Sequence, residues 1–305
     1  CLLTQNKESS MDRLYFIVNP VSGSGEGMRR FSLVRGILER RGVEYGFCFS
    51  EYPGHAVKLA KAAIDAGETR LVAVGGDGTL NEVASVVKDY TGIKLGVLPF
   101  GTGNDFARGI GLPEDDEGLV NVLTGGKSRL IDAGMAGDGF FINVAGFGFD
   151  VDVVRYTEKY KRRLNGMLPY MLGILQSLIY LSRTEAEIVT DSGETFNVTV
   201  TLLSACNGIR FAGGINLAPL ADYSDGLMDI CILKKISRLR FLYLLPKYMK
   251  GKHLKYKNEF LYFKAKSVKV KTLTHSLMEC DGEIKGETPA EFRVLSGAID
   301  FMIGE

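Results

Sequence analysis

The chain has 305 residues, 46% of them hydrophobic and 24% charged, with 37 basic against 36 acidic side chains for a net charge of +1. These are the proportions of a folded globular protein; they exclude disordered, collagen-like and disulfide-scaffold classes. The even charge removes any global argument for nucleic-acid binding, and the length predicts two domains. Glycine, at 37 residues, exceeds the usual ~7%, which points to tight turns or to backbone that approaches a ligand closely.

Residues 1–10 (CLLTQNKESS) precede a start at Met11 and lack the apolar core of a signal peptide, so they are expected to be an extension outside the fold. Residues 11–128 then alternate between strand and helix. Leu14–Val18 is a short apolar run, as in a buried strand, and a Gly/Ser-rich loop leads into a helix over Met28–Arg41. Strands follow at Val43–Phe49, Leu71–Val74 and Lys94–Leu98, with helices at Ala56–Ala66 and Leu80–Val87. Near-continuously apolar strands separated by helices predict a parallel sheet covered on both faces, with ligands at the carboxyl ends of its strands.

Beyond residue 128 the pattern becomes β-rich. Ala186–Thr190, Phe196–Ser204, Met228–Leu233, Phe260–Ala265 and Ser267–Thr272 read as strands between turns such as DSG and SDG. Val198, Val200 and Leu202 alternate with threonines, as in half-buried antiparallel strands. A β-sandwich is expected, interrupted by helical segments over roughly Val151–Leu181 and Leu239–Lys250. Phe292–Ile303 is strand-like and suits either domain. The expected division is an α/β domain at 11–128, completed by 292–305, and a β-sandwich domain at 129–291.

The five cysteines (Cys1, Cys48, Cys206, Cys231, Cys280) form no CxxC pair and no zinc-ligand spacing, and read as reduced thiols of a cytosolic protein. The three histidines show no ligand spacing either, and His55 is expected to be structural. No run of 18 uninterrupted apolar residues exists; the nearest, 164–181, is broken by Asn165, Gly166, Pro169, Gly173 and Gln176. No membrane-spanning helix is expected.

The sharpest local signal is Gly75-Gly76-Asp77-Gly78-Thr79, between a strand and a helix. Three glycines around one aspartate let backbone N–H groups turn toward an anion at a helix N-terminus. The aspartate would repel a bare phosphate, which implies Mg²⁺ or an ordered water between them. The plainer alternative is a strand-to-helix turn with Thr79 as its cap. A second glycine loop, Pro99 to Arg108 (PFGTGNDFAR), follows the fourth strand, with Asn104 or Asp105 as its alternative cap. A third, Asn19 to Gly25 (NPVSGSG), follows the first. GxxxxGK[ST], GxGxxG, the protein-kinase HRD and DFG signatures and GxSxG are all absent.

NPVSGSG, GGDGTLNE and GTGNDFARGIG, in this order and spacing, resemble the diacylglycerol kinase catalytic-domain family, which includes bacterial soluble lipid kinases and the sphingosine and ceramide kinases. The resemblance continues through LIDAG (130–134), NVAGFGFDVDV (143–153), APLADYSDGLMDI (218–230) and MECDGE (278–283), and so covers nearly the whole chain from Met11. GGDGT alone is shared with NAD kinases; its combination with GTGNDFAR, SDGLMD and DGE is specific.

The resemblance implies a Rossmann-like nucleotide-binding α/β domain followed by a β-sandwich, and ATP- and Mg²⁺-dependent phosphorylation of diacylglycerol or a similar lipid. Its ATP contacts match Asn19, Ser22, Gly23, Ser50, Gly75, Gly76, Asp77, Gly78, Thr79 and Thr102. Asp77 and Asp132 match the catalytic Mg²⁺–water network, and Glu283, in Asp281-Gly282-Glu283, matches the general base. A structural Mg²⁺ site matches Asp222, Asp225 and the Leu227 carbonyl. A homodimer is implied by the bacterial members. Phosphoryl transfer suits such residues, because it asks for positioning, charge neutralisation and proton removal rather than covalent chemistry. The plainer reading of Asp281-Gly282 is a hairpin turn. An NAD kinase and a non-catalytic lipid-binding module stand as alternatives.

An enzyme acting on a bilayer lipid must approach an anionic surface, which places this one in the cytoplasm, peripheral to the inner face of the membrane. Ser237 to Lys257 carries Arg238, Arg240, Lys247, Lys250, Lys252, Lys255 and Lys257 with no acid, around Leu239, Phe241, Leu242 and Tyr243. In Tyr156–Leu181, Lys159, Lys161, Arg162 and Arg163 lead into an apolar run. Both suit interfacial segments; the alternative is that their apolar faces pack on the sandwich.

Overall fold

A computed structural model describes residues 13–161, 163–164 and 168–304. The expected extension at 1–10 and Arg162 of the basic segment lie outside the described residues. The chain divides into two compact units, one running to Ile131 and resuming at Ala298, the other Asp132–Gly297. Against the expected division at 128 and 292, both crossings fall inside strands, where no loop composition marks them.

The first unit contains β1 (Leu14–Val18), α1 (Glu26–Arg40), β2 (Tyr45–Phe49), α2 (His55–Asp65), β3 (Arg70–Gly75), α3 (Asp77–Val87), β4 (Lys94–Pro99), α4 (Asp105–Gly109) and α5 (Asp116–Thr124). Its strands are parallel in the order β4–β3–β1–β2. Leu14, Phe16 and Val18 pack with Phe31 and Val34 of α1 and Leu119 of α5. The short α4 and α5 were not expected: at five and nine residues, they are too brief for a clear helical period in sequence.

The register matters more than the strand order. Val18 lies opposite Phe49 and Val74, and Gly75 opposite Pro99. All four carboxyl ends therefore finish level, so the segments after them begin side by side along one edge of the sheet.

The second unit begins within β5 (Ser128–Ala136) and continues through β6 (Gly139–Phe141), β7 (Val144–Gly148), α6 (Phe149–Lys161), α7 (Leu168–Tyr180), β8 (Thr184–Thr190) and β9 (Thr195–Cys206). It then runs through β10 (Arg210–Phe211), β11 (Ile215–Asn216), β12 (Met228–Lys234), α8 (Arg238–Met249), β13 (Phe260–Ala265), β14 (Ser267–Thr272), β15 (Leu277–Cys280), β16 (Glu283–Glu287) and most of β17 (Ala290–Met302). The single helical segment expected over 151–181 is a pair, α6 and α7, packed on each other with the Tyr160 hydroxyl donating to Gln176 Oε1 at 2.7 Å.

β9 organises this unit. One edge carries β12; the other is shared between β8 and β7. Its alternate residues enter two cores: Leu203 and Ala205 join Phe147, Ile230 and Phe292 inside the sandwich, while Leu202 and Cys206 meet Phe149, Leu178 and Phe241 of the helices. β12 likewise has both faces buried, which is why Met228–Leu233 reads as an unbroken apolar run. β17 answers the question left by its sequence. Its first part pairs antiparallel with β14 in this unit, and Asp300 and Phe301 pair parallel with β4 in the first.

Candidate active site

Three loops meet at the level edge of the first unit. Asn19, after β1, donates its backbone N–H to Val74 O at 2.9 Å and its side-chain amide to Thr79 Oγ1 at 3.2 Å. Phe100, after β4, donates its N–H to Gly75 O at 2.8 Å. Gly101 approaches so closely that a methyl on it would overlap Gly76 Cα and lie 2.9 Å from Gly76 N. Ser50 ends β2 with its N–H on Val18 O at 2.8 Å. In the row β2–β1–β3–β4 this aligns Ser50, Asn19, Gly75-Gly76 and Phe100-Gly101. Gly78 and Thr102 are exposed at that edge. Ser22 is buried, and its Oγ has no hydrogen-bond partner among the described residues.

Asp77 opens α3, and its carboxylate is engaged within the protein. Oδ2 accepts the Asp105 N–H at 3.2 Å and Oδ1 the Phe106 N–H at 3.1 Å, at the start of α4. The caps considered from sequence are therefore displaced. Thr79 is buried beneath the loop, and Asn104 turns back onto Gly101, accepting its N–H and donating to its carbonyl, each at 3.0 Å. α3 has no side-chain cap, and α4 is capped by Asp77, from a different loop. Its charge, which would have opposed an anion, is spread onto two backbone dipoles. Each oxygen keeps lone-pair capacity, which fits a carboxylate that accepts from metal-bound water.

Sequence reasoning passed over two side chains here. Glu82 of α3 accepts the Gly54 and Ala56 N–H groups at 2.9 and 3.0 Å and so caps α2. Arg30 of α1 lies over the Phe100 ring at 4.2 Å. Neither has a local sequence signal, because each acts across elements distant in sequence. His55 is structural: Nδ1 accepts the Glu51 N–H at 3.1 Å, and the ring stacks on Tyr52.

In the second unit, the expected catalytic carboxylates differ sharply in surroundings. Asp132 is buried, its oxygens accepting the Gly226 and Gly297 N–H groups at 2.7 Å each. Asp281 accepts the N–H groups of Ile142, Asn143 and Val144 at 2.8, 3.1 and 2.8 Å. These two anchor backbone. Asp281 (φ 48) and Gly282 (φ 85) form the left-handed turn of the β15–β16 hairpin, so the plainer reading of that dipeptide also holds. Glu283 stands just past the turn, exposed and paired with Lys285 Nζ at 2.9 Å. Of the carboxylates in this unit matched to catalytic roles, Asp132 is buried, Asp281 half-buried and Glu283 exposed.

The expected structural Mg²⁺ site does not fit its residues. Asp222 Oδ1 accepts from Ser224 N–H and Oγ. Asp225 Oδ1 accepts the Leu227 N–H at 3.0 Å, and Oδ2 pairs with Lys264 Nζ at 2.5 Å. The Lys264 ammonium supplies the positive charge a dication would have brought, and it reaches Asp229 as well, at 3.5 Å. Among the described residues, no group of three or more His, Cys, Asp or Glu side chains is placed to hold a metal ion.

Comparison with known proteins follows the same two-part division. Residues 13–136 match the family model described as the diacylglycerol kinase catalytic domain, and 143–303 match the YegS C-terminal NAD kinase beta sandwich-like domain. A diacylglycerol kinase of Bacillus subtilis is 32% identical over 92% of this chain and 93% of its own length. One from Staphylococcus aureus is 31% identical over 94% of this chain and 91% of its own. Among solved structures, a diacylglycerol kinase from Bacillus anthracis superposes with a TM-score of 0.73 at 19% identity, covering 97% of this chain and 98% of that one. An NAD kinase from Archaeoglobus fulgidus in complex with ATP gives 0.52 at 12% identity, covering 96% of this chain and 94% of that one. These last two establish likeness of fold.

Proposed function

The chain belongs to the diacylglycerol kinase catalytic-domain family, and from that premise we propose that it transfers the γ-phosphate of ATP to the free hydroxyl of diacylglycerol or a similar lipid. The observation that carries the reading is the level row of loops, which presents Asn19, Gly23, Ser50, Gly76 to Gly78 and Thr102 along one sheet edge beside the N-terminus of α3, with Ser22, Gly75 and Thr79 buried beneath them. Helix N-termini and glycine-bared backbone are the elements that hold phosphates. Glu283, exposed and unburdened by backbone, serves as the general base: it takes the lipid hydroxyl proton as that oxygen bonds to the γ-phosphorus and the bond to the bridging oxygen breaks, releasing ADP. Asp77 orients water, Asp132 holds the backbone at Gly226 and Gly297, and Asp281 holds the 142–144 segment against the turn that carries Glu283. A bound Mg²⁺ supplies charge neutralisation on the phosphates.

The second unit also supports membrane contact. Leu168, Met171, Leu175 and Ile179 form one stripe along α7 at helical spacing, the last three 64%, 59% and 59% exposed, while Gly173, Ser177 and Leu178 face inward. On α8, Phe241, Leu244 and Tyr248 pack inside, whereas Leu239, Leu242 and Tyr243 face out among lysines and arginines. Each segment thus packs one apolar face on the sandwich and leaves a second apolar face exposed. The exposed apolar residues of α8 among its cations suit an anionic bilayer, the stripe of α7 adds apolar area to insert, and the protein acts there peripherally. Among the described residues, no helix is long and apolar enough to cross a membrane.

The direct test is transfer from γ-labelled ATP to a lipid panel in mixed micelles, with NAD as a competing acceptor and Asp77→Ala as control. Label in an organic-extractable product, lost in the variant and on chelation of Mg²⁺, is the expected result. Label in NADP would overturn the acceptor, and label in neither would overturn the reaction.

A further inference from the structure

β15 runs antiparallel to β7 with Glu279 directly opposite Gly146. The missing side chain at Gly146 has a cause: a Cβ there would overlap Asp150 Oδ2 and Leu203 O. Opposed residues in such a pair have Cβ positions about 4.5–5.5 Å apart. The Asp150 carboxylate, reaching over Gly146 from the first turn of α6, therefore stands on the same face of the strand pair as the Glu279 side chain, near enough for its charge to act on Glu279.

Asp150 is half-buried as a residue, but the oxygen it turns toward Gly146 is buried. Glu279 is fully buried, and Asp150 Oδ2 and Glu279 Oε1 are buried atoms without a hydrogen-bond partner. Their other oxygens are engaged: Asp150 Oδ1 accepts the Val151 N–H at 2.8 Å, and Glu279 Oε2 accepts the Gly282 N–H at 2.7 Å. Among the described residues, no Lys, Arg or His forms an ion pair with either. The titratable groups around them are Asp152 on α6, Cys206 on β9, Tyr248 on α8, and Cys280 and Asp281 next to Glu279. None of these is a cation. Two adjacent buried carboxylates with no cation cannot both ionise without a large cost. Burial pushes the Asp150 carboxyl up to about 7, and burial with the charge of Asp150 pushes Glu279 well above the carboxylate range.

We infer that Asp150 and Glu279 hold one proton between their orphaned oxygens, and that this acid pair positions the Asp281-Gly282-Glu283 turn through the Glu279–Gly282 hydrogen bond. The shared proton satisfies both orphans at once. It also fixes the Glu279 carboxylate plane, so that Oε2 stays aimed at the Gly282 N–H. With Asp281 tied to three N–H groups of the 142–144 segment on one side and Gly282 tied to Glu279 on the other, the turn has one conformation in which to present Glu283. Neither acid touches substrate in this scheme; both are positioning residues. The catalytic consequence rests on Glu283 being the base, but the shared proton does not.

Infrared difference spectroscopy of the full chain at pH 7 tests the proton. The expected result is one buried protonated-carboxyl band in the wild type that disappears in Asp150→Asn and in Glu279→Gln, since either amide donates to the remaining carboxylate. A wild type without the band, or a band that survives in both variants, overturns the pair. Kinetics test the positioning. Glu279→Gln keeps an oxygen for the Gly282 N–H and should hold kcat within about threefold, whereas Glu279→Ala should lose about tenfold or more in kcat with KM for ATP unchanged. Equal activity of the two overturns the positioning role, and if Glu279→Ala does not fold, a loss in Glu279→Gln as large as that of Glu283→Gln overturns it. Full turnover in Glu283→Gln would remove the base assignment alone, leaving the carboxyl band to decide the pair.

Discussion

Gly78→Ala separates a phosphate cradle from a mere turn. Gly78 lies in the first turn of α3, and a methyl there meets nothing within 4 Å. Alanine is favoured over glycine in a helix by roughly 0.5–1 kcal/mol, so the variant should unfold at a slightly higher urea concentration than the wild type. The added methyl nevertheless projects from the exposed edge where phosphate would approach the backbone, and ATP affinity should fall at least about tenfold, or about 1.4 kcal/mol. Gly101→Ala is the contrasting case. Its methyl would overlap Gly76 Cα, forcing two loops apart and straining the Phe100–Gly75 and Asp77–Phe106 hydrogen bonds. Overpacking of about 1–3 kcal/mol plus about 1 kcal/mol for each weakened bond should destabilise the fold by roughly 3–5 kcal/mol. Urea denaturation and calorimetric titration with ATP measure both quantities. A Gly78→Ala protein that is more stable and binds ATP as tightly as the wild type would refute the phosphate-site reasoning.

Glu283→Gln should lower kcat by about a hundredfold or more, within the usual reach of general-base catalysis, with stability and ATP affinity unchanged; comparable turnover in a lipid phosphorylation assay would refute its role. Asp150→Asn should change how stability depends on pH. With its folded pKa raised from 3.8 to about 7, Asp150 keeps its proton while the unfolded chain loses it, so wild-type stability is fully present below about pH 4 and falls as pH rises to 7. Asparagine removes that fall, so the variant should gain stability relative to the wild type as pH rises from 4.5 to 7, and denaturation curves at pH 4.5 and 7 that shift in parallel for both proteins would contradict it. Leu175→Glu, on the exposed face of α7, should leave stability within about 0.5 kcal/mol. It should weaken sedimentation with anionic vesicles by roughly tenfold or more, the loss of one buried leucine; unchanged sedimentation would remove α7 from the membrane face.

Elements whose signal is local were legible in the sequence. Leu14–Val18 is a strand because five apolar residues end at Asn19-Pro20, and the glycine loops after β1, β3 and β4 announce backbone that must turn sharply. The order and spacing of the motifs already carried the family. Tertiary structure alone decided what each acid does. Asp77, Asp132 and Asp281 each sit in a quoted motif, yet all three spend their oxygens on backbone N–H groups, those of Asp77 lying 28 and 29 residues away and one of those of Asp132 165 residues away. Nothing near those residues in sequence reveals such partners. The same holds for Lys264, which meets Asp225 from β13, and for Glu279, which reads as an ordinary strand residue until pairing sets it across from Gly146 and Asp150. A carboxylate's chemistry depends on its solvation and on the charges within a few ångströms, and folding brings those neighbours from distant parts of the chain.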